Sequence, residues 1–160
     1  MENQVKTGVV ALIGPPNVGK STLLNRILGI KVAIVSHKPQ TTRNRILGVY
    51  HGDGHQMVFM DTPGIHRGRT PLQKSMVESA IAAFQEVDIL LMMIGMDRPE
   101  APEISSVVGN LKGRKRPVIL AINKIDKVGI LAGSRLYMFL RLDVHQMMSH
   151  YVTLIDTTTS

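Results

Sequence analysis

The chain has 160 residues, 44% of them hydrophobic, a formal net charge of +7 and no cysteine, which together fit one ordinary domain. This composition excludes a disordered chain, a disulfide framework and thiolate chemistry, and the positive charge favours polyanionic partners such as RNA. The N-terminus has no signal-peptide pattern and the longest apolar run, residues 87–96, is too short to span a bilayer, so the sequence predicts a soluble cytoplasmic protein.

The first half of the chain reads as a strand, a glycine-rich loop, a helix and a hairpin. An apolar strand over residues 7–13 leads through GPPNVGKS into a helix over residues 19–28. A polar, irregular segment over residues 30–43 separates this helix from two further strands. These strands, residues 45–50 and 56–60, are joined by the hairpin signal HGDGH.

The second half alternates helices with strands. Thr70 as cap, Pro71 in the first turn and Gln73 as capping-box partner predict a helix start. Its predicted apolar stripe is Leu72, Met76, Ala80 and Phe84. The remaining predicted elements are a strand over 87–94, a helix over 102–112, a strand over 118–122, a helix over 134–148 and a short strand over 151–155. The order predicts an α/β fold, with helices on both faces of a mostly parallel sheet and ligands at the carboxyl ends of its strands.

The loop GPPNVGKS matches the phosphate-binding pattern G-x-x-x-x-G-K-[ST]. Its two glycines allow the backbone to wrap closely around a phosphate, and the following helix start adds partial positive charge. Lys20 can reach the terminal phosphates, and the hydroxyl of Ser21 can ligate Mg²⁺. The alternative is a glycine turn that happens to precede a surface lysine. The predicted phosphate-binding residues are Gly14, Pro15, Pro16, Asn17, Val18, Gly19, Lys20, Ser21 and Thr22.

DTPG follows the second strand of the hairpin and comprises Asp61, Thr62, Pro63 and Gly64. A carboxylate at the end of a strand can orient the water shell of Mg²⁺, and the backbone N–H of a glycine can approach the terminal phosphate. D-x-x-G is also common in ordinary turns, so the motif is informative only because it directly follows the second strand of the hairpin. It predicts a second part of the nucleotide site.

NKID follows the strand PVILAI. The carboxylate of Asp126 can accept two hydrogen bonds from the N1–H and the exocyclic amine of guanine, whereas adenine offers no such donor pair on that edge. Asn123 can support the base and the stem of Lys124 can cover its ring. The alternative is a charged turn at a strand end. Together with the other two motifs, NKID predicts a guanine nucleotide site.

In this order and spacing, the three motifs resemble those of small GTPases of the translation-factor-related class. More narrowly, GPPNVGKSTLLNRILG, SHKPQTTRNRILGV, DTPGIH and ILAINKID resemble the Era family of bacterial GTPases, over residues 8–127. The resemblance implies a Ras-like P-loop fold, binding of GTP and GDP with Mg²⁺, and GTP hydrolysis. It also implies a function in assembly of the small ribosomal subunit through 16S rRNA and, for some members, association with the anionic inner membrane.

The resemblance also assigns roles to single residues. Thr42 takes the place of the switch threonine that closes over Mg²⁺, so the implied metal ligands are Ser21, Thr42 and Asp61. Asn17 resembles an asparagine that helps to hold K⁺ beside the phosphates in related GTPases, and the alternative is an amide that only stabilises the loop. Ile65 stands where Ras-like enzymes carry a water-orienting glutamine, and catalysis by the neighbouring His66 is disfavoured against an incidental histidine. The implied catalytic residues are Asn17, Lys20, Thr42 and Gly64.

The chain departs from the Era pattern at its C-terminal end. Era proteins continue into a KH-type RNA-binding domain, whereas this sequence stops first. Thr158 and Thr159 stand roughly where a Ser-Ala loop completes the guanine site, and the usual closing helix is missing. We therefore expect residues 1–160 to form one monomeric Era-type GTPase domain, truncated before its last helix and lacking a KH domain. A truncated chain, a gene fragment and a divergent end all remain open.

Two other functions remain compatible with the sequence. One is the GTPase domain of a tRNA-modifying or other ribosome-assembly protein, although KPQTTRNR favours Era. The other is a fragment that binds nucleotide without hydrolysing it. Four basic clusters are candidate RNA or ribosome contacts: His37-Lys38, Arg43-Arg45, His66-Arg67-Arg69 and Lys112-Arg114-Lys115-Arg116.

Overall fold

The computed structural model describes residues 5–31, 46–65, 70–98, 102–111 and 116–127. The helix predicted over residues 134–148 and the strand predicted over 151–155 lie outside these ranges. Three of the four basic clusters also lie outside them, and Arg116 is the one described member of the fourth.

In the part of the chain that the structure describes, five strands form one sheet: β1 (Lys6–Ile13), β2 (Ile46–Gly52), β3 (His55–Asp61), β4 (Ile89–Gly95) and β5 (Val118–Asn123). Their order across the sheet is β2-β3-β1-β4-β5. Strand β2 runs antiparallel to β3, and the other neighbouring pairs are parallel. The predicted α/β fold with a mostly parallel sheet is therefore confirmed.

Among the described residues, three helices pack on the sheet: α1 (Lys20–Leu28), α2 (Pro71–Ala82) and α3 (Pro102–Leu111). A short 3₁₀ turn over Ala83–Gln85 follows α2, and a second one over Ile125–Lys127 follows β5. Helix α1 begins one residue later than predicted because Gly19 adopts a left-handed φ of 102° and serves as its N-cap. Within the described ranges, no helix has the length and apolar character needed to cross a membrane.

The sheet has an apolar core on each face. One contains Leu23 and Leu24 of α1, and the other contains residues that follow β3 or lie on α2 and α3. The predicted stripe of α2 is wrong at Leu72, whose residue is 63% exposed, while Ala80 and Phe84 are buried. Among the α2 side chains that the structure describes, Val77 is the first that packs against the core, and the side chain of Met76 lies outside the described residues.

Strand register decides where the motif loops lie. Leu12 of β1 is paired with Asp61 of β3, and Gly95 of β4 is paired with Asn123 of β5. Because these strands are parallel, the segments that follow β1, β3 and β5 all leave the sheet at the same edge. GPPNVGKS, DTPG and NKID are thereby brought together.

Candidate functional site

The loop between β1 and α1 is shaped by close approach to its neighbours. Gly14 has a φ of 146°, and a Cβ at this position would meet the carbonyl oxygen of Met93 in β4. A Cβ at Gly19 would meet the side-chain nitrogen of Asn123. Both positions therefore require glycine, and the loop is held tightly over the ends of β4 and β5.

Lys20 lies inside the curve of this loop and is only 6% exposed. Its ammonium donates to the carbonyl oxygens of Pro15 (2.8 Å) and Gly14 (3.2 Å). Burial lowers the pKa of Lys20 from 10.5 to about 8, while the negative charge of Asp61 opposes this decrease. The ammonium is thus desolvated with incomplete compensation, and an anion bound in the loop would stabilise its charged form.

Ser21 and Asp61 contact each other across the site. The hydroxyl of Ser21 donates to Oδ2 of Asp61 at 2.7 Å, and Asp61 is fully buried at the end of β3. Hydroxyl and carboxylate oxygens are the hard donors that Mg²⁺ prefers, so these two residues fit a magnesium site. The third predicted ligand, Thr42, lies outside the described residues.

The segment after β3 runs against the phosphate loop. Thr62 is fully buried and its hydroxyl donates to the carbonyl of Leu12 at 2.7 Å, so it links β3 to β1 and does not face the loop opening. The backbone N–H of Ile65 donates to the carbonyl oxygen of Gly14 at 3.1 Å. The side chain of Ile65 is fully buried in the core that α2 and α3 cover. This aliphatic side chain therefore has no access to a water molecule at the site.

Gly64, between Pro63 and Ile65, packs directly on the phosphate loop. A Cβ at Gly64 would lie 2.8 Å from both the Cα and the backbone nitrogen of Pro16, which is closer than real Cβ atoms approach. The backbone after β3 can reach the loop only because this residue has no side chain. Pro63 itself is buried beside it, and His66 lies outside the described residues.

Replacing Gly64 should therefore destabilise the protein. We expect Gly64→Ala to lower the free energy of unfolding by about 1–3 kcal/mol, the range for overpacking a tight contact. Denaturant unfolding measures this change. Gly109→Ala is the matched control, because Gly109 lies in α3 and a Cβ there meets nothing within 4 Å. The control should be neutral or slightly stabilising, and equal losses in both variants would contradict the proposed contact.

Asn123 connects the end of β5 to the phosphate loop. Its side-chain nitrogen donates to the carbonyl of Val18 at 2.8 Å, and its side-chain oxygen accepts from the backbone N–H of Lys124 at 2.8 Å. Lys124 has a left-handed φ of 60°. Asn123 thus fixes the position of NKID relative to the loop. The sequence analysis predicted that Asn123 supports the base and did not predict this contact with the loop.

Asp126 lies in the 3₁₀ turn after β5 and is exposed. Among the described residues, it makes no hydrogen bond or ion pair through its carboxylate. The ammonium of Lys124 instead forms an ion pair with Oδ2 of Asp97 at 2.7 Å. Asp126 is therefore accessible to a ligand edge that carries two adjacent donors. Thr158 and Thr159 lie outside the described residues.

Asp97 is the residue at this site that the sequence analysis missed. It follows β4, and β4 carries none of the three motifs. The signal that would have found it is an acidic residue directly after a predicted parallel strand, at the edge where the motif loops meet.

Comparisons with known proteins place these features in a family. The sequence model described as 50S ribosome-binding GTPase matches residues 9–124. GTPase Era of Geotalea daltonii is 50% identical over 127 residues, which are 79% of this chain and 43% of that protein. GTPase Era of Geotalea uraniireducens is 52% identical with the same coverage of both chains. The chain therefore spans less than half the length of the curated relatives that it matches.

Solved structures of Era are similar as well. A variant of Aquifex aeolicus Era bound to GDP·AlF4⁻ gives a TM-score of 0.82 at 41% identity, over 94% of this chain and 51% of that one. Era in complex with MgGDPNP and nucleotides 1506–1542 of 16S ribosomal RNA gives a TM-score of 0.82 at 40% identity, over 95% of this chain and 51% of the other.

Proposed function

Because the chain belongs to the 50S ribosome-binding GTPase family, we propose that the site described above binds GTP and GDP and hydrolyses GTP. The resemblance to Era GTPases that the motifs indicated is confirmed by the relatives and structures that match. One observation carries the proposal: the strand register brings a buried lysine, a serine–aspartate contact and an accessible aspartate to one edge of the sheet.

The residues of the phosphate loop supply the binding chemistry. A phosphate chain in the loop would give the desolvated ammonium of Lys20 an anionic partner in place of two backbone carbonyls. Ser21 and Asp61 would hold Mg²⁺, which when bound supplies positive charge that neutralises the phosphate oxygens. The accessible carboxylate of Asp126 would accept hydrogen bonds from the guanine edge.

Hydrolysis needs charge stabilisation from groups other than Ile65, because its side chain is apolar and buried in the core. Gly64 places its backbone beside the phosphate loop, where its N–H can approach the terminal phosphate. Asn17 lies at the exposed tip of the loop with a φ of 62°. Its amide oxygen is of the type that suits K⁺, and a bound K⁺ would supply further positive charge beside the phosphates.

We expect GTP hydrolysis to be faster in K⁺ than in Na⁺ by about tenfold, which is about 1.4 kcal/mol of transition-state stabilisation. Phosphate release at equal ionic strength in the two salts measures this ratio. Asn17→Gly is the informative variant, because glycine adopts the left-handed backbone without strain and lacks the side-chain amide. It should abolish the difference between the salts. A difference that persists in Asn17→Gly would assign Asn17 to loop structure alone.

The macromolecular partner of the protein is proposed from what its relatives bind. An Era structure contains a fragment of 16S ribosomal RNA together with MgGDPNP. We propose that this protein acts as a GTP-dependent switch in assembly of the small ribosomal subunit, and its net charge of +7 supports an RNA partner. A cytoplasmic location with contact to the anionic inner-membrane surface stays a prediction from the sequence.

Nucleotide binding gives the direct test of this proposal. Fluorescent analogues of GDP and ADP are titrated in Mg²⁺, and we expect binding that is selective for guanine, followed by slow release of phosphate from GTP. A chain that binds neither nucleotide would overturn the proposal. Binding without hydrolysis would favour the alternative of a non-enzymatic fragment. Pull-down of small ribosomal subunits with the full chain, in GTP and in GDP, then tests the partner.

A further inference from the structure

The ion pair between Asp97 and Lys124 lies at the rim of the proposed base site. The two charged atoms are 2.7 Å apart, and the side chains are 29% and 24% exposed, respectively. Asp97 comes from the segment after β4, while Lys124 belongs to NKID after β5. The ion pair therefore joins Asp97, which lies outside the three motifs, to Lys124, whose stem is predicted from the sequence to cover the ring of the base.

The backbone at the ends of β4 and β5 places these side chains next to each other. The N–H of Met96 donates to the carbonyl of Asn123 at 2.9 Å, which extends the pairing of the two strands beyond Gly95. The N–H of Arg98 donates to the carbonyl of Gly95 at 3.2 Å and turns the chain back.

Gly95 leaves room for the pair. A Cβ there would meet the carboxylate oxygen Oδ1 of Asp97 and would lie 3.6 Å from Cδ of Lys124. Because Gly95 has no side chain, Asp97 can fold back over the strand end. The stem of Lys124 crosses the same point.

Lys124 has a second acidic neighbour two residues away, Asp126. An ammonium on a flexible four-carbon stem can pair with either carboxylate. In the structure it pairs with Asp97, and Asp126 makes no ion pair with any described residue. If Lys124 paired with Asp126 instead, its ammonium would occupy the carboxylate that guanine needs, and guanine would have to displace it.

We propose that Asp97 is a positioning residue for guanine recognition: by pairing with Lys124, it keeps the ammonium away from Asp126 and holds the lysine stem beside the base. This inference rests on the proposed function, since it concerns the guanine pocket of the same site. Asp97 acts through Lys124 and does not itself contact nucleotide.

The test is a double-mutant cycle on the dissociation rate of fluorescent GDP from the Mg²⁺-loaded full chain. Asp97→Asn should speed dissociation about three- to fivefold, the range for a partly exposed ion pair. Asp97→Glu should restore a rate close to that of the wild type. Asp53→Asn is the control for the change in net charge, because Asp53 lies in the hairpin turn between β2 and β3.

The decisive result comes from the background lacking the lysine. In Lys124→Met, adding Asp97→Asn should change the rate by less than about 1.5-fold, because no ammonium is left to position. Competition by pyrophosphate, which has no base, should be equal in the wild type and Asp97→Asn. An unchanged rate in Asp97→Asn, a similar acceleration in both backgrounds, or weakened pyrophosphate binding would each overturn the inference while leaving guanine binding intact. A wild-type chain that fails to bind GDP would overturn the proposed function and this inference with it.

Discussion

Lys20→Met should weaken GDP binding by about a hundredfold or more without destabilising the nucleotide-free protein. The loss of affinity follows because the variant removes a charged, nearly buried donor from the phosphate site, and hydrogen bonds to charged groups contribute about 1.5–3 kcal/mol each. Stability at pH 7 is retained because the variant also removes the cost of burying an ammonium, which offsets the two lost hydrogen bonds to carbonyls. GDP titration and denaturant unfolding measure the two effects.

The pH dependence of stability gives Lys20 a separate signature. Its pKa is about 8 in the folded protein, against the ordinary value of 10.5 for a lysine in an unfolded chain, so between these values the unfolded state binds more protons. Stability should therefore rise with pH across this window, by on the order of 3 kcal/mol in total. Lys20→Met should lack this part of the rise.

The matched control is Lys74→Met, because Lys74 is exposed in the first turn of α2. This variant should bind GDP as the wild type does and should keep the full rise of stability with pH. If Lys20→Met bound GDP normally, the assignment of the phosphate site would be wrong. If it kept the rise with pH, the buried ammonium would not be its source.

Asp126→Asn should change the base that the protein selects. In the variant, a side-chain NH₂ group replaces one of the two carboxylate oxygens and faces an N–H donor of guanine, so that hydrogen bond is lost. The other is weakened because its acceptor no longer carries a charge. We expect GDP to bind about a hundredfold or more weakly, equivalent to about 3 kcal/mol. Xanthosine diphosphate carries an oxygen where guanine carries its amine, and it should bind the variant more tightly than the wild type.

Competition of both diphosphates against one fluorescent nucleotide measures this preference. Asp53→Asn carries the same chemical change at the hairpin turn and should leave the preference for guanine unaltered. Pyrophosphate should compete equally in Asp126→Asn and in the wild type, since it does not reach the base site. A guanine preference that survives in Asp126→Asn would refute the assigned role of Asp126.

Local sequence patterns were sufficient for the helices and strands in the described ranges and for the three motifs. Strand β5 and helix α3 match their predicted positions within one residue, because apolar runs and helical periodicity report burial directly. The helical periodicity failed at Leu72, which is exposed, since periodicity gives the apolar face of a helix and not which of its turns are covered by neighbouring elements. The DTPG pattern also did not show that the hydroxyl of Thr62 bonds to the carbonyl of Leu12 in β1.

The amino-acid sequence by itself determined that this protein has a phosphate loop, a carboxylate after β3 and a guanine-type motif after β5, because each is a short pattern whose chemistry is local. The tertiary structure alone decided which side chains meet. Ser21 contacts Asp61 across 40 positions of sequence, Asn123 contacts Val18 across 105, and Lys124 pairs with Asp97 across 27. The physical reason is that such contacts depend on strand order and register, which no local pattern encodes. The buried ammonium of Lys20 and its lowered pKa arise in the same way, from neighbours that folding brings together.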